Sequence, residues 1–240
     1  MMLPTPERLP WDTDFLGFPV ARLRAAALEA GALAAVLAGC RAAGIRLLYL
    51  SADPTDAVTA AAAQSLGLLL ADHRLTFDKP LLAVLPPVGP ARLQIRAATA
   101  YSAPLERLAL QSGAYSRFRR DPRFAPDVFP RLYQQWLRAA LAGAGGQRVW
   151  TAEAGGEVLA LLVNRAVPPV FTLNLLAVDV TSRGQGLGWQ MLEASQQQAS
   201  MALCRSLRLV TQADNLPADR LYRRFGFAVV GEEHLYHCWL

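Results

Sequence analysis

Leu176-Ala177-Val178-Asp179-Val180-Thr181-Ser182-Arg183-Gly184-Gln185-Gly186-Leu187-Gly188 is the stretch on which the reading of this chain turns. An apolar strand runs into it and an amphipathic helix leaves it. A helix N-terminus exposes unpaired N–H groups and the positive end of the helix dipole. Glycines let main chain come close to a ligand. Together they predict a site for a phosphate or pyrophosphate. A Walker loop would need Gly-Lys-Ser/Thr, which the stretch lacks. A dinucleotide fingerprint needs G-x-G-x-x-G, and Gly184-Gln185-Gly186-Leu187-Gly188 brings its third glycine one position too early. A glycine-rich turn with no ligand is the plain alternative for residues 183–188 taken alone.

Outward from the loop, hydrophobic periodicity predicts strands over 171–179 and 207–212 around a helix over 186–203. A helix follows over 217–225, with proline near its first turn. Residues 227–230 and 234–240 read as two antiparallel closing strands. Upstream lie a strand over 93–97, a helix over 103–111, a loop over 115–126 and a helix over 128–142. A hairpin of strands spans 148–154 and 157–167. Pro86-Pro87-Val88-Gly89-Pro90 reads as a linker, dividing a first lobe, 1–88, from a second, 91–240. In the first lobe, 11–23 reads as extended chain or a strand pair. A helix is expected over 31–43, a strand over 46–50, a helix over 55–66 and a strand over 68–77. The fold class is mixed α/β.

An internal echo links the lobes. Leu50, Gly67 and Phe77 stand in one strand–helix–glycine–strand run, and Leu209, Gly226 and Tyr236 stand in another, each pair 159 positions apart (226 − 67 = 159). The first run has no counterpart of the glycine-rich loop, as in a degenerate duplication.

Composition narrows the class. Hydrophobic residues make up 53% and charged residues 18%, enough to build a sizeable core and too apolar for a disordered chain. The net charge of +5 favours an anionic partner. Its basic residues form no long run and no recognisable nucleic-acid-binding module, which speaks against nucleic acid. Lys79 is the only lysine. Three separated cysteines, Cys40, Cys204 and Cys238, argue for a reducing compartment. No apolar stretch reaches the roughly 20 residues of a bilayer span, so a cytoplasmic protein with no membrane association is expected. His73, His234 and His237 make no metal-ligand pattern, and no metal is expected.

Arg183, Gly186 and Gly188 resemble the acetyl-CoA signature of the GNAT N-acetyltransferases. Asn215, Ala218, Leu221, Tyr222, Arg224, Gly226 and Phe227 resemble the second element of the same family, in the right order. Val180 stands where the family often has proline. The resemblance covers roughly residues 93–240 and implies a GNAT fold, preceded by a partial GNAT-like lobe, with acetyl-CoA as co-substrate. It implies that amides of Gly184, Gln185, Gly186, Leu187 and Gly188 hold the pyrophosphate, flanked by Arg183. Main chain at Leu176, Ala177 and Val178 would border the pantetheine arm between two splayed strands, with Asn215 and Ala218 also near the cofactor. Tyr222 stands where the family places a general acid for the departing sulfur, and a phenol with a reference pKa of about 10 is protonated at neutral pH.

Acetyl transfer to an amine needs a neutral nucleophile, a stabilised oxyanion and a proton for the thiolate. No Asp or Glu occurs over 171–177, so the base stays unassigned. Asn174 could orient a water, and Asn164 is the other strand asparagine; either is read equally well as structural. Cys204 is read as core.

Three further runs carry a narrower resemblance, to the TDP-fucosamine acetyltransferase group. They are Pro10-Trp11-Asp12-Thr13-Asp14-Phe15-Leu16-Gly17-Phe18-Pro19-Val20, then Tyr115-Ser116-Arg117-Phe118-Arg119 with Phe124-Ala125-Pro126-Asp127, and Leu132-Tyr133-Gln134-Gln135-Trp136. This implies an acceptor amine on a nucleotide-linked sugar, and a homodimer. Arg117 and Arg119 are then candidates for its diphosphate. A solvated basic loop is the alternative. Other acceptors (a peptide N-terminus, a polyamine, an aminoglycoside) and a non-catalytic CoA-binding module stay open.

Overall fold

The computed structural model describes residues 3–81 and 94–240. The proposed linker at 86–90 lies outside the described residues. The chain divides into two compact units, Met1–Leu75 with Gly231–Leu240, and Thr76–Val230.

In the first unit β1 (Glu7–Arg8), β2 (Val20–Arg24), β3 (Leu47–Ala52), β10 (Ala228–Trp239) and β4 (Leu69–Pro80) neighbour one another in that order, the last two through their residues in this unit. β2 and β3 are parallel, joined by α2 (Ala30–Ala42). β3 is buried along its whole length, as a strand covered on both faces must be. Leu33 and Leu37 of α2 meet Leu48, Leu50 and Cys238 in one core, which Ala62 and Ala63 of α3 (Ala57–Ser65) close. Asp56 caps α3 by accepting from the Thr59 N–H.

Two expectations are corrected here. The segment 11–23, expected to be extended, begins as α1 (Pro10–Leu16). Proline occupies its first turn, Asp12 faces the positive dipole end, and left-handed Gly17 ends it. The two closing strands expected over 227–240 are one continuous strand, β10. Antiparallel pairing from His234↔Ala52 to Trp239↔Leu47 fixes its C-terminal half, and Gly231-Glu232-Glu233 makes no turn.

The second unit contains β5 (Gln94–Ala98), β6 (Gln147–Ala154), β7 (Glu157–Val167) and β8 (Val170–Val178) as an antiparallel meander. β9 (Ser206–Gln212) is parallel to β8, and residues 76–80 of β4 lie on its other side. α4 (Ala103–Ser112) and α6 (Val128–Leu141) bury Leu105, Leu108 and Leu137 against Leu161, Val163 and Ala177. Truncating one such leucine to alanine costs about 2–5 kcal/mol. On the opposite face α7 (Leu187–Met201) crosses β7 and β8, where Gln198 meets Asn164. α8 (Leu216–Phe225) leads into β10. Residues 115–126, expected to be loop throughout, contain a single helical turn, α5 (Arg117–Arg120), capped by the Ser116 hydroxyl. Gly113 lets this segment turn against α6, since a Cβ there would stand 2.4 Å from the Tyr133 ring.

Candidate active site

The glycines of the loop serve two different ends. Gly184 (φ +78) and Gly186 (φ +81) are left-handed, a conformation that glycine adopts without strain. Gly188 is helical, and a Cβ on it would stand 3.0 Å from Leu221 Cδ2, so its smallness lets α7 and α8 close together. Gly186 is the N-cap of α7 and brings no side chain to cap it. Among the described residues, no group accepts from the main-chain N–H groups of Gln185, Gly186, Leu187 or Gly188. Such donors at the positive end of a helix fit a diphosphate.

Behind the loop, β8 carries the feature that opens the sheet. Its register with β7 slips between Val163↔Leu175 and Asn164↔Leu173, so Asn174 is the extra residue of a β-bulge. Pairing of β8 with β9 runs from Val170↔Ser206 to Leu173↔Leu209 and stops at that point. The Asp179 N–H donates to Leu159 O at 2.8 Å. Antiparallel alternation then turns the main chain of Leu175 and Ala177 toward β7, and that of Leu176 and Val178 toward the gap. The Ala177 side chain packs in the core with Leu161 and Val163. The Val178 carbonyl accepts from Arg183 Nε at 3.1 Å. The Arg183 guanidinium thus folds back on the strand end that the resemblance assigned to the cofactor arm.

The gap is open. A cavity of about 330 Å³ is lined by Thr172, Leu173, Asn174 and Leu175 of β8 and Val210 of β9, with Val163 of β7. Trp136 and Ala139 of α6 and Gln147 of β6 complete it. Among the described residues, none that lines the cavity bears a formal charge.

Tyr222 is buried on α8, its ring 5.7 Å from that of Phe77 and 5.8 Å from that of Phe227. Burial pushes its phenol up to about 12, so it stays protonated. Asn215 caps α8 instead of standing free: its Oδ1 accepts from the Ala218 N–H at 3.4 Å and its Nδ2 donates to Thr211 Oγ1 at 3.3 Å. Asn164, buried, donates to Gln198 Oε1 at 2.8 Å, a structural role.

The arginines of the 115–126 segment are held by local contacts. Arg117 lies over the Phe118 ring at 4.5 Å, Arg119 over Phe129 at 5.6 Å, and Arg120 pairs with Asp214 at 2.6 Å. Arg119 lines a second cavity with Glu106, Arg107 and Gln111, and does not join Asn174 in the first. His237 is buried beside Tyr49, and His73 meets His234 edge-on at 4.7 Å. Among the described residues no cluster of His, Cys, Asp and Glu could hold a metal ion, and no helix is long and apolar enough to cross a membrane.

Asp179 is a site residue that sequence reasoning missed. Its carboxylate accepts from the Thr181 N–H at 3.1 Å and the Thr181 hydroxyl at 2.8 Å, and from Arg107 Nε at 3.1 Å. Those bonds, the Thr181 pair foremost, hold its pKa at about 2. Gln111 Oε1 accepts from the Val180 N–H. The loop is thereby tied to α4 before it reaches Gly184. Asp-x-Thr is a local turn signature that could have marked the first of these bonds. The partners on α4 have no sequence signal.

The parallel strands β8 and β9 diverge beside a helix head with unpaired N–H groups, while Tyr222, buried among aromatic rings, does not line the cavity. Residues 112–227, just under half of the chain, match the model of the acetyltransferase (GNAT) family. The spore coat polysaccharide biosynthesis protein SpsD of Bacillus subtilis (strain 168) is 30% identical over 132 residues, covering 55% of this chain and 45% of that protein. This chain thus spans about half the length of that relative. A conserved protein of unknown function from Staphylococcus epidermidis superposes with a TM-score of 0.68 at 12% identity, over 99% of this chain and 91% of the other. A GNAT acetyltransferase structure from Sphaerobacter thermophilus gives 0.61 at 14% identity, over 98% and 76%. The likeness to the second of these shows the GNAT fold.

Proposed function

We propose that this protein is an acetyltransferase of the GNAT type that acetylates the primary amine of an amino-sugar, most concretely the 4-amino group of a dTDP-linked amino-dideoxy-sugar. The observation that carries the reading is the cavity at the split of β8 and β9, whose described lining is uncharged. Trp136 offers a flat apolar face, while Gln147, Thr172 and Asn174 offer donors and acceptors for hydroxyl groups. A polyamine or aminoglycoside would bring several positive charges to a wall whose described residues include no carboxylate to meet them, a costly burial. The SpsD relative, whose name places it in polysaccharide biosynthesis, supports a sugar acceptor. The nucleotide part rests on the sequence runs around Arg117 and Trp136 and on exposed Arg119, whose guanidinium suits a diphosphate.

Acetyl-CoA supplies the activated acetyl group. The free amides of residues 185–188 fit its diphosphate, and the gap-facing main chain of Leu176 with the Val178 N–H fits its amide-bearing arm, the Val178 carbonyl being taken by Arg183. The exposed bulge residue Asn174 holds the water that takes the amine's proton. Tyr222 acts as general acid toward the departing sulfur. At about 12 its pKa stands well above the roughly 8.5 of a free thiol, so its contribution is chiefly a hydrogen bond to developing charge. Direct attack in a ternary complex gains mainly from positioning.

The test is CoA release from acetyl-CoA by purified protein. The challengers are dTDP-linked 4-amino-sugars, spermidine, an aminoglycoside and a peptide with a free N-terminus. Turnover confined to the amino-sugars supports the reading. Turnover of spermidine or the peptide with none of the sugars overturns it.

A further inference from the structure

Lys79 lies in β4, far in sequence from the residues of the acetyl-CoA signature, yet it reaches the end of the helix that carries Tyr222. α8 ends in a two-bond cap. The Phe227 N–H donates to Tyr222 O and the Gly226 N–H to Arg223 O, both at 3.0 Å, with Gly226 left-handed (φ +96). That cap leaves the Phe225 carbonyl at the negative end of the helix without a helical partner. Lys79 Nζ donates to it at 2.7 Å and lies 4.2 Å above the Phe225 ring. A Cβ on Gly226 would stand 3.5 Å from Nζ, so the ammonium is seated against the cap itself. Two residues earlier on the same strand, fully buried Phe77 packs on the Tyr222 ring at 5.7 Å. The last turn of α8 is therefore held by its own glycine cap and by two side chains of β4.

We infer that Lys79 is a positioning residue for acetyl transfer, holding the C-terminal turn of α8, with Phe77 beside it, so that the Tyr222 hydroxyl is aimed at the reacting sulfur. The inference rests on the proposed role of Tyr222 and goes further, because it makes a strand outside the recognised motifs part of the catalytic apparatus. An ammonium at a helix C-terminus is favourable by charge as well as by hydrogen bond, and the stack on Phe225 adds direction. Arginine at this position keeps the charge but spreads it over a plane too wide for the same seat.

The experiment is a double-mutant cycle on the full chain, reading kcat and the KM for acetyl-CoA separately. Lys79→Met is expected to lower kcat about tenfold, by misplacing a group worth about 10²-fold or more, with KM changed less than about twofold. Lys79→Arg is expected to recover part of the loss. In a Tyr222→Phe background, Lys79→Met should cost nothing further in kcat, since it acts through the missing hydroxyl. If Tyr222→Phe alone leaves kcat unchanged, the reading of Tyr222 falls and the inference falls with it. If Tyr222→Phe lowers kcat while Lys79→Met is silent, or multiplies the loss, Lys79 is structural only and the inference alone is overturned. Should Lys79→Met fail to fold, Lys79→Leu carries the same cycle, since it too removes the donor to Phe225 O.

Discussion

Gly188 and Leu221 meet so closely that a single methyl group on the glycine would stand 3.0 Å from Leu221 Cδ2. The contact couples the head of α7 to the helix that carries Tyr222. Gly188→Ala is expected to push α7 and α8 apart and cost about 1–3 kcal/mol in stability. It should also weaken acetyl-CoA binding as the helix head moves. Gly184→Ala is expected to act differently, straining a left-handed residue by about 1–2 kcal/mol without disturbing the helix pair. Denaturant unfolding and calorimetric titration of acetyl-CoA on both variants would separate the two effects.

Asp179 makes a prediction in acid. Its folded pKa, about 2, lies below the ordinary carboxylate value of 3.8 because Thr181 and Arg107 donate to the charged form. The stability it contributes is therefore fully present above pH 4 and is lost as pH falls through 2. Thermal unfolding followed from pH 5 to pH 2 should show a shallower decline in Asp179→Asn than in the parent. The same variant should bind acetyl-CoA more weakly at neutral pH, since the loop loses its tie to α4.

Tyr222 makes the opposite prediction. Burial favours the neutral phenol, raising the folded pKa from 10 to about 12. Its stabilising contribution is present below pH 10 and is lost as pH rises toward 12, a decline that Tyr222→Phe should blunt. In turnover, kcat/KM should rise as the acceptor amine deprotonates and show no falling limb attributable to Tyr222 below about pH 11. Tyr222→Phe should lower kcat by about 10²-fold or more.

A fragment spanning 91–240 holds both GNAT motifs but lacks Phe77, Asp78 and Lys79. Asp78 Oδ1 accepts from Arg208 Nε at 2.9 Å and from Ser206 Oγ at 3.3 Å, so β9 would lose its neighbour as well as α8 its clamp. The fragment is expected to show no dispersed amide spectrum and no CoA release. A folded, active fragment would contradict this.

Much of the second unit was legible because its signals are local. Strand, glycine-rich turn and helix follow one another over 171–203, and Pro217 and Gly226 punctuate α8 at the ends where each residue is tolerated. The bulge at Asn174 was not legible, since Leu173-Asn174-Leu175 contains no glycine and the slip exists only in pairing with β7. α1 escaped because seven residues scarcely show a 3.6-residue period. β10 was read as two strands because Gly231 looks like punctuation until β3 is set beside its C-terminal half. The capping role of Asn215 was legible from the local rule that asparagine caps helices. Asp179 with Arg107, and Lys79 with Phe225, join residues 72 and 146 positions apart, which no local pattern encodes.

The most direct measurement is a crystal structure with acetyl-CoA bound. Amide nitrogens within residues 185–188 should lie within hydrogen-bond reach of the diphosphate oxygens, with the sulfur within reach of Tyr222 Oη and the acetyl group facing the Trp136–Asn174 cavity. A diphosphate held elsewhere, or a sulfur far from Tyr222 with residues 185–188 untouched, would contradict the account.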